Sequence, residues 1–242
     1  MDPLGTPEVA AQPDAKRHVR RWRLVSAIVA LLLTFCFGTL IVLRDDGMPL
    51  SIDTQWVAVL DEHRTPIWEG LSLSMNYLGG GWLATFLVPV LIIIALLLVK
   101  RPWAAGYYIV ATMLSAGITQ LLKQLFGRAR PEDILGNVSV DFGSFPSGHV
   151  ANAATMAAIL AILFPRLWVW IAGAGYTIVM MFSRTYLGAH WLTDTIGGLL
   201  LGIGVAIVVW ALLAAKLDGE QELAPRDPSP STIRRRNAAK SD

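Results

Sequence analysis

The stretch LTDTIGGLLLGIGVAIVVWALLA, residues 192–214, decides the fold: after Asp194 it carries no charge for twenty residues. A helix needs roughly 20 apolar residues to cross a hydrocarbon core of about 30 Å, because lipid offers no partner to backbone N–H and C=O groups. Runs of the same character lie at 24–43, 82–99, 103–125, 149–164 and 167–187, the fourth of them short. The expectation is an all-α, polytopic membrane bundle of six transmembrane helices. Composition agrees, since 54% of the 242 residues are apolar and only 16% charged, outside the usual balance of a water-soluble domain. The first run follows the basic stretch RHVRRWR (17–23) as a secretory signal would. It is too long for one and lacks a small-residue cleavage pattern, so it reads as a permanent span.

Orientation follows from the flanks. Lys16, Arg17, Arg20, Arg21 and Arg23 precede the first span, Lys100 and Arg101 separate the second from the third, and Arg166 follows the fourth. Lys216, Arg234, Arg235 and Arg236 follow the sixth. With six spans all of these fall on one side, which the Lys and Arg bias assigns to the cytoplasm. The opposite loop, 44–69, holds Asp45, Asp46, Asp53, Asp61, Glu62 and Glu69 against two arginines. Both termini of this cell-membrane protein are therefore expected in the cytoplasm. Residues 1–23 and 217–242 read as disordered tails without apolar periodicity, flanking a membrane domain over 24–216. The net charge of +2 is accounted for by insertion signals and gives no reason to expect a nucleic-acid partner. Nothing in the chain specifies an oligomeric state.

Between residues 50 and 78, Trp56, Val57, Leu60, Ile67, Trp68 and Leu71 are set among charges. This predicts amphipathic helices in the outer interface, where they serve as anchor, lid or lipid entrance. Gly79, Gly80 and Gly81 then break the chain. Gly197, Gly198, Gly202 and Gly204 give the small-residue pattern of closely packed membrane helices. The single cysteine, Cys36, reads as packing.

The polar chemistry collects in three short stretches: KQLFGRARP (123–131), FPSGH (145–149) and SRTYLGAHWLTD (183–194). Charge beside a bilayer is expensive enough to require a function. The six-span topology puts all three stretches on the outer face. Lys123 and Arg130 are seven apart, so they share a face if the helix continues, or meet through a bend if Gly127 and Pro131 end it. Arg184 adds a forked donor suited to phosphate oxygens. Ser147 and Gly148 stand where an N-cap and first turn would open the fourth span, a site whose free N–H groups receive anions. His190 and Asp194 are four apart. A carboxylate beside one imidazole nitrogen fixes the tautomer and leaves the other nitrogen as nucleophile or base.

These stretches resemble the three signature motifs of the type 2 phosphatidic acid phosphatase superfamily, the integral membrane lipid phosphate phosphatases. Lys123, Arg130 and Pro131 match the first motif, and Pro146 to His149 match the second. Ser183, Arg184, His190 and Asp194 match the third, and no motif position departs from the pattern. The resemblance implies in-line attack by His190 on phosphorus, a phosphohistidine intermediate and its hydrolysis by water. It implies that Asp194 orients His190 and that His149 protonates the leaving oxygen. Lys123, Arg130, Arg184, Ser147 and the Gly148 backbone would hold the phosphoryl oxygens. No metal or other cofactor is implied, and His18 and His63 lie in no recognisable ligand spacing.

An outward site beside lipid suggests a membrane lipid phosphate as substrate. The favoured candidate is a polyprenyl (undecaprenyl-type) diphosphate, by analogy with carrier recycling at the outer face. Phosphatidic acid, phosphatidylglycerol phosphate and diacylglycerol diphosphate are the alternatives. Two other classes compete. Vanadate haloperoxidases share the superfamily fold, but the spans argue against a typically soluble enzyme. A nonenzymatic headgroup-binding or transport protein would need the cations and no nucleophile.

Overall fold

A computed structural model describes residues 13–45, 49–131 and 143–223. These form α1 (Pro13–Asp45), α2 (Ser51–Glu62), α3 (Pro66–Gly79), α4 (Val88–Leu98), α5 (Pro102–Phe126), α6 (Gly148–Leu163), α7 (Leu167–Tyr186) and α8 (Leu192–Leu223). A π-helical turn, Leu83–Leu87, leads into α4, and no strand occurs among the described residues. Every run expected to span lies on a helix. By length and apolarity three of them qualify to cross a membrane, or four if α3 and the Leu83–Leu98 segment, bent by 43°, form one span. The protein is thus an all-α, multi-pass membrane protein.

Several boundaries differ from expectation. The N-terminal tail is helical from Pro13 onward, while residues 1–12 and 224–242 lie outside the described residues. α8 runs on to Leu223 because its last turns have work at the far end of the bundle. There Glu220 accepts the backbone N–H groups of Trp103 (2.7 Å) and Ala104 (3.2 Å). These are orphan donors of the first turn of α5, which an acidic side chain satisfies well. Cys36 is exposed rather than packed inside.

The centre of the bundle is the contact of α8 with α6, with α5 against both. A Cβ at Gly202 would stand 2.5 Å from the Ala151 carbonyl and 2.8 Å from Ala154 Cβ, and one at Gly198 would stand 2.6 Å from the Ser147 carbonyl. Only hydrogen fits, so the glycine spacing does bring the helices into close contact. Lipid supplies no hydrophobic drive between helices, and such contact relies on packing and polar ties. Tyr107 donates to the Ala206 carbonyl (2.8 Å) and Thr155 to Ser115 Oγ (2.9 Å). Around this core, Leu32, Leu33, Leu97, Leu98, Trp168 and Ile171 are exposed, as side chains facing lipid are.

Gly202→Val should therefore lower the apparent unfolding temperature in detergent, with overpacking costing about 1–3 kcal/mol. A thermal scan that matches wild type would contradict this packing.

Candidate active site

α5 ends where the sequence left two geometries open. Gly127 takes a left-handed conformation (φ 55°) and its N–H closes on the Lys123 carbonyl at 3.0 Å, so the chain bends and no shared helical face exists. The bend brings the two cations together: Lys123 Nζ (3.2 Å) and Arg130 Nη2 (3.1 Å) both donate to the Gly143 carbonyl. Arg130 Nη1 also donates to the Ala189 carbonyl, 3.0 Å away, beside His190. Two cations converging on one oxygen is the arrangement that a phosphoryl oxygen requires.

Ser147 is the N-cap residue of α6 and Gly148 its first residue. The Ser147 N–H donates to the Asp194 carbonyl (3.0 Å), joining the second stretch to the third. Its hydroxyl is buried, makes no cap bond and has no hydrogen-bond partner among the described residues. A buried hydroxyl left open beside a helix N-terminus is suited to an anion. A Cβ at Gly148 would stand 3.6 Å from Thr119 Cγ2 and 4.0 Å from Lys123 Cε, so the start of α6 faces the lysine.

Arg184 is fully buried near the end of α7 and donates to the side-chain oxygen of Asn76. His149 packs on the end of α3, its Nε2 2.3 Å from where a Cβ on Gly80 would lie. The absence of a side chain at Gly80 makes room for this imidazole. Arg184 and Lys123 both bring positive charge close to His149.

His190 precedes α8, and Asp194 lies in its first turn. His190 Nδ1 is 3.5 Å from Asp194 Oδ2, within ion-pair range but too long and misaligned for a hydrogen bond. Such bonds commonly tighten only around substrate. Asp194 Oδ2 also accepts the Trp191 N–H at 2.9 Å. A carboxylate facing Nδ1 favours the tautomer protonated there, and the ring also hydrogen-bonds the Ser144 backbone. Burial, followed by the charges of Arg184, Lys123 and Arg130, pushes the His190 imidazole well below its ordinary range.

The structure brings all eight sequence-selected residues together at one end of the bundle, with Lys123, Ser147, Arg184, His190 and Asp194 buried and Arg130, Gly148 and His149 half-buried. It adds three that the sequence reading passed over: Asn76 on α3, Asp53 on α2 and Arg128. Asp53, counted among the charges of the loop 44–69, is wholly buried, as is Arg128. Arg128 sits inside the first stretch, and an additional arginine there was the available signal. Residues 132–142 of the intervening loop lie outside the described residues.

Residues 104–218 match the PAP2 superfamily model. An undecaprenyl-diphosphatase of Sulfolobus acidocaldarius is 32% identical over 120 residues, covering 47% of this chain and 57% of that protein. Phosphatidylglycerophosphatase B of Bacillus subtilis is 27% identical over 151 residues, 58% and 72% of the two chains. The chain thus spans little more than half the length of the first of these relatives. The crystal structure of a transmembrane PAP2-type phosphatidylglycerolphosphate phosphatase from Bacillus subtilis superposes with a TM-score of 0.63, at 23% identity, over 78% of this chain and 96% of that one. It shares the fold.

Because the folded His190 binds its proton less readily than an unfolded histidine, the unfolded state takes up more protons in the window below pH 6.5, and stability falls as pH drops through it. NMR of histidine-labelled protein, assigned against His190→Gln, should show a neutral His190 ring at pH 6.5. A half-protonated ring at that pH would contradict the cation-lined site.

Proposed function

From a chain whose residues 104–218 carry a PAP2 superfamily domain, we propose a membrane lipid phosphatase that works through a phosphohistidine and takes a polyprenyl diphosphate as its substrate. The observation that carries the reading is the convergence of Lys123, Arg130, Arg184 and the unpartnered Ser147 hydroxyl around a histidine backed by a carboxylate. The undecaprenyl-diphosphatase relative supports the lipid class; the phosphatidylglycerophosphatase relative supports the runner-up.

His190 Nε2 attacks phosphorus in line as the bond to the leaving oxygen breaks. His149 gives that oxygen a proton, so it departs as a hydroxyl or, from a diphosphate, as the lipid monophosphate. The negative charge spread over the equatorial oxygens is held by the three cations, Ser147 and the Gly148 N–H; phosphoryl transfer depends mainly on such positioning and electrostatic support. Water then attacks the phosphohistidine, His149 accepts its proton, and inorganic phosphate leaves with His190 restored. Asp194 keeps the Nδ1 proton in place and supports the positive charge that the ring acquires. A headgroup-binding protein would need the cations but not the His190 and Asp194 pair.

The same reading has six crossings, both termini in the cytoplasm and the site at the extracytoplasmic end of a cell-membrane protein. The Lys and Arg distribution supports it. In a Cys36→Ser background, a cysteine placed at His63 should react with an impermeant maleimide on intact cells, and one at Arg166 should not. The reverse pattern would invert the topology.

Phosphate release from polyprenyl diphosphate, phosphatidic acid and phosphatidylglycerol phosphate should be unchanged by chelator and abolished in His190→Ala, which still inserts in the membrane. Turnover by that variant at the wild-type rate would remove His190 as nucleophile, and dependence on added metal would overturn the metal-independent mechanism.

A further inference from the structure

Beneath the reacting groups, Asp194 is the last member of a buried chain of charge whose other two members have no part in the proposed phosphoryl transfer. Arg128 is buried between two carboxylates that are also buried: Nη2 donates to Asp53 Oδ2 at 2.7 Å, and Nη1 to Asp194 Oδ1 at 2.5 Å. The same Nη1 reaches Thr193 Oγ1 at 2.8 Å, and the guanidinium lies over the Trp191 ring, 5.7 Å from its centroid. Asp53 accepts the Thr193 N–H at 2.9 Å and the Thr193 hydroxyl at 2.8 Å. One carboxylate from α2 therefore grips the first turn of α8 twice directly and once through Arg128.

Burying three charges seldom stabilises a protein more than apolar packing of the same volume would. A reason is found in what the chain holds. Arg128 occupies Asp194 Oδ1 and leaves Oδ2 to face His190 Nδ1. We propose that Asp53 and Arg128 are positioning residues, which fix the Asp194 carboxylate and share its charge so that its other oxygen, which also takes the Trp191 N–H, is turned toward His190. The inference rests on the reading of His190 as nucleophile. It also gives α2, which lies outside residues 104–218, a role in turnover rather than in anchoring alone.

The charge balance makes the role testable. Asp53, Arg128 and Asp194 together carry one negative charge. His190 is otherwise faced by Arg184 from α7, Lys123 from α5, Arg130 from the segment after α5, and His149 from α6. Removing the Asp53 charge leaves Arg128 opposed by Asp194 alone. The network becomes neutral, and the positive charge that His190 gains during attack loses support. Removing Arg128 as well restores one negative charge, now wholly on Asp194.

The test is steady-state kinetics across pH for wild type, His190→Ala, Asp53→Asn and the double variant Asp53→Asn/Arg128→Gln, using the panel lipid that wild type turns over fastest. Asp53→Asn should lower kcat by roughly 10- to 100-fold, the size usual for an outer partner that orients a group acting at the site. KM and inhibition by inorganic phosphate should stay as in wild type, because the phosphate-holding cations are untouched. The acid limb of kcat/KM should move to lower pH in Asp53→Asn and return toward its wild-type position in the double variant. A merely structural network predicts the opposite for the double variant, with a larger loss of folded protein and no return of the limb, and that result overturns the proposal. So does a wild-type kcat and pH profile for Asp53→Asn while His190→Ala is inactive. Activity retained in His190→Ala would instead overturn the phosphatase mechanism, and no release by wild type from any lipid would overturn both.

Discussion

The close contact of α6 with α8 is the constraint on which the rest depends. Each helix begins with one of the reactive stretches, so the distance between their axes sets the distance between Ser147 and Asp194. Gly198 and Gly202 remove the side chains that would hold the helices apart, and the Ser147 N–H reaches the Asp194 carbonyl at 3.0 Å. A single larger residue at the seam would move Ser147 and Gly148 away from His190 and Asp194, and the proposed transfer chemistry tolerates little such displacement. Packing in the membrane interior and geometry at the site are thus one problem.

Electrostatics sets the second condition. Lys123 and Arg184 are almost wholly buried, in a protein whose surroundings disfavour charge. A site that places cations around a neutral imidazole is poised for a ligand that brings several negative charges. It is a poor site for a neutral headgroup. Burial, and after it the same charges, disfavour protonation of His190, while the Asp194 carboxylate faces the ring at Nδ1. The interfacial helices complete the arrangement: α3 contributes the amide of Asn76 to Arg184, and α2 contributes the carboxylate that meets Arg128.

Much of this was legible in the sequence, for a physical reason. In an apolar chain every polar group stands out, and the helical runs and glycine spacing carry their own periodicity. The reactive residues lie in compact stretches at helix ends, so Lys123, Arg130, Ser147, Gly148, His149, Arg184, His190 and Asp194 could be singled out without coordinates. What escaped notice was long-range. Asp53 pairs with a residue 75 positions away and Asn76 with one 108 positions away, and no local pattern distinguishes a buried acid from a solvated one in an amphipathic segment. Arg128 was passed over because it falls between positions of the motif. The continuation of α8 to Leu223 was also illegible, because it serves Glu220 and the start of α5, a contact between distant segments.

The central claim is that His190 itself forms a bond to phosphorus. Rapid quenching of the wild-type protein during turnover of a lipid labelled with radioactive phosphate, followed by peptide mapping, tests it directly. Acid-labile, base-stable label is expected on the peptide containing His190. Label on His149, or turnover with no label on protein at any time point, would contradict it.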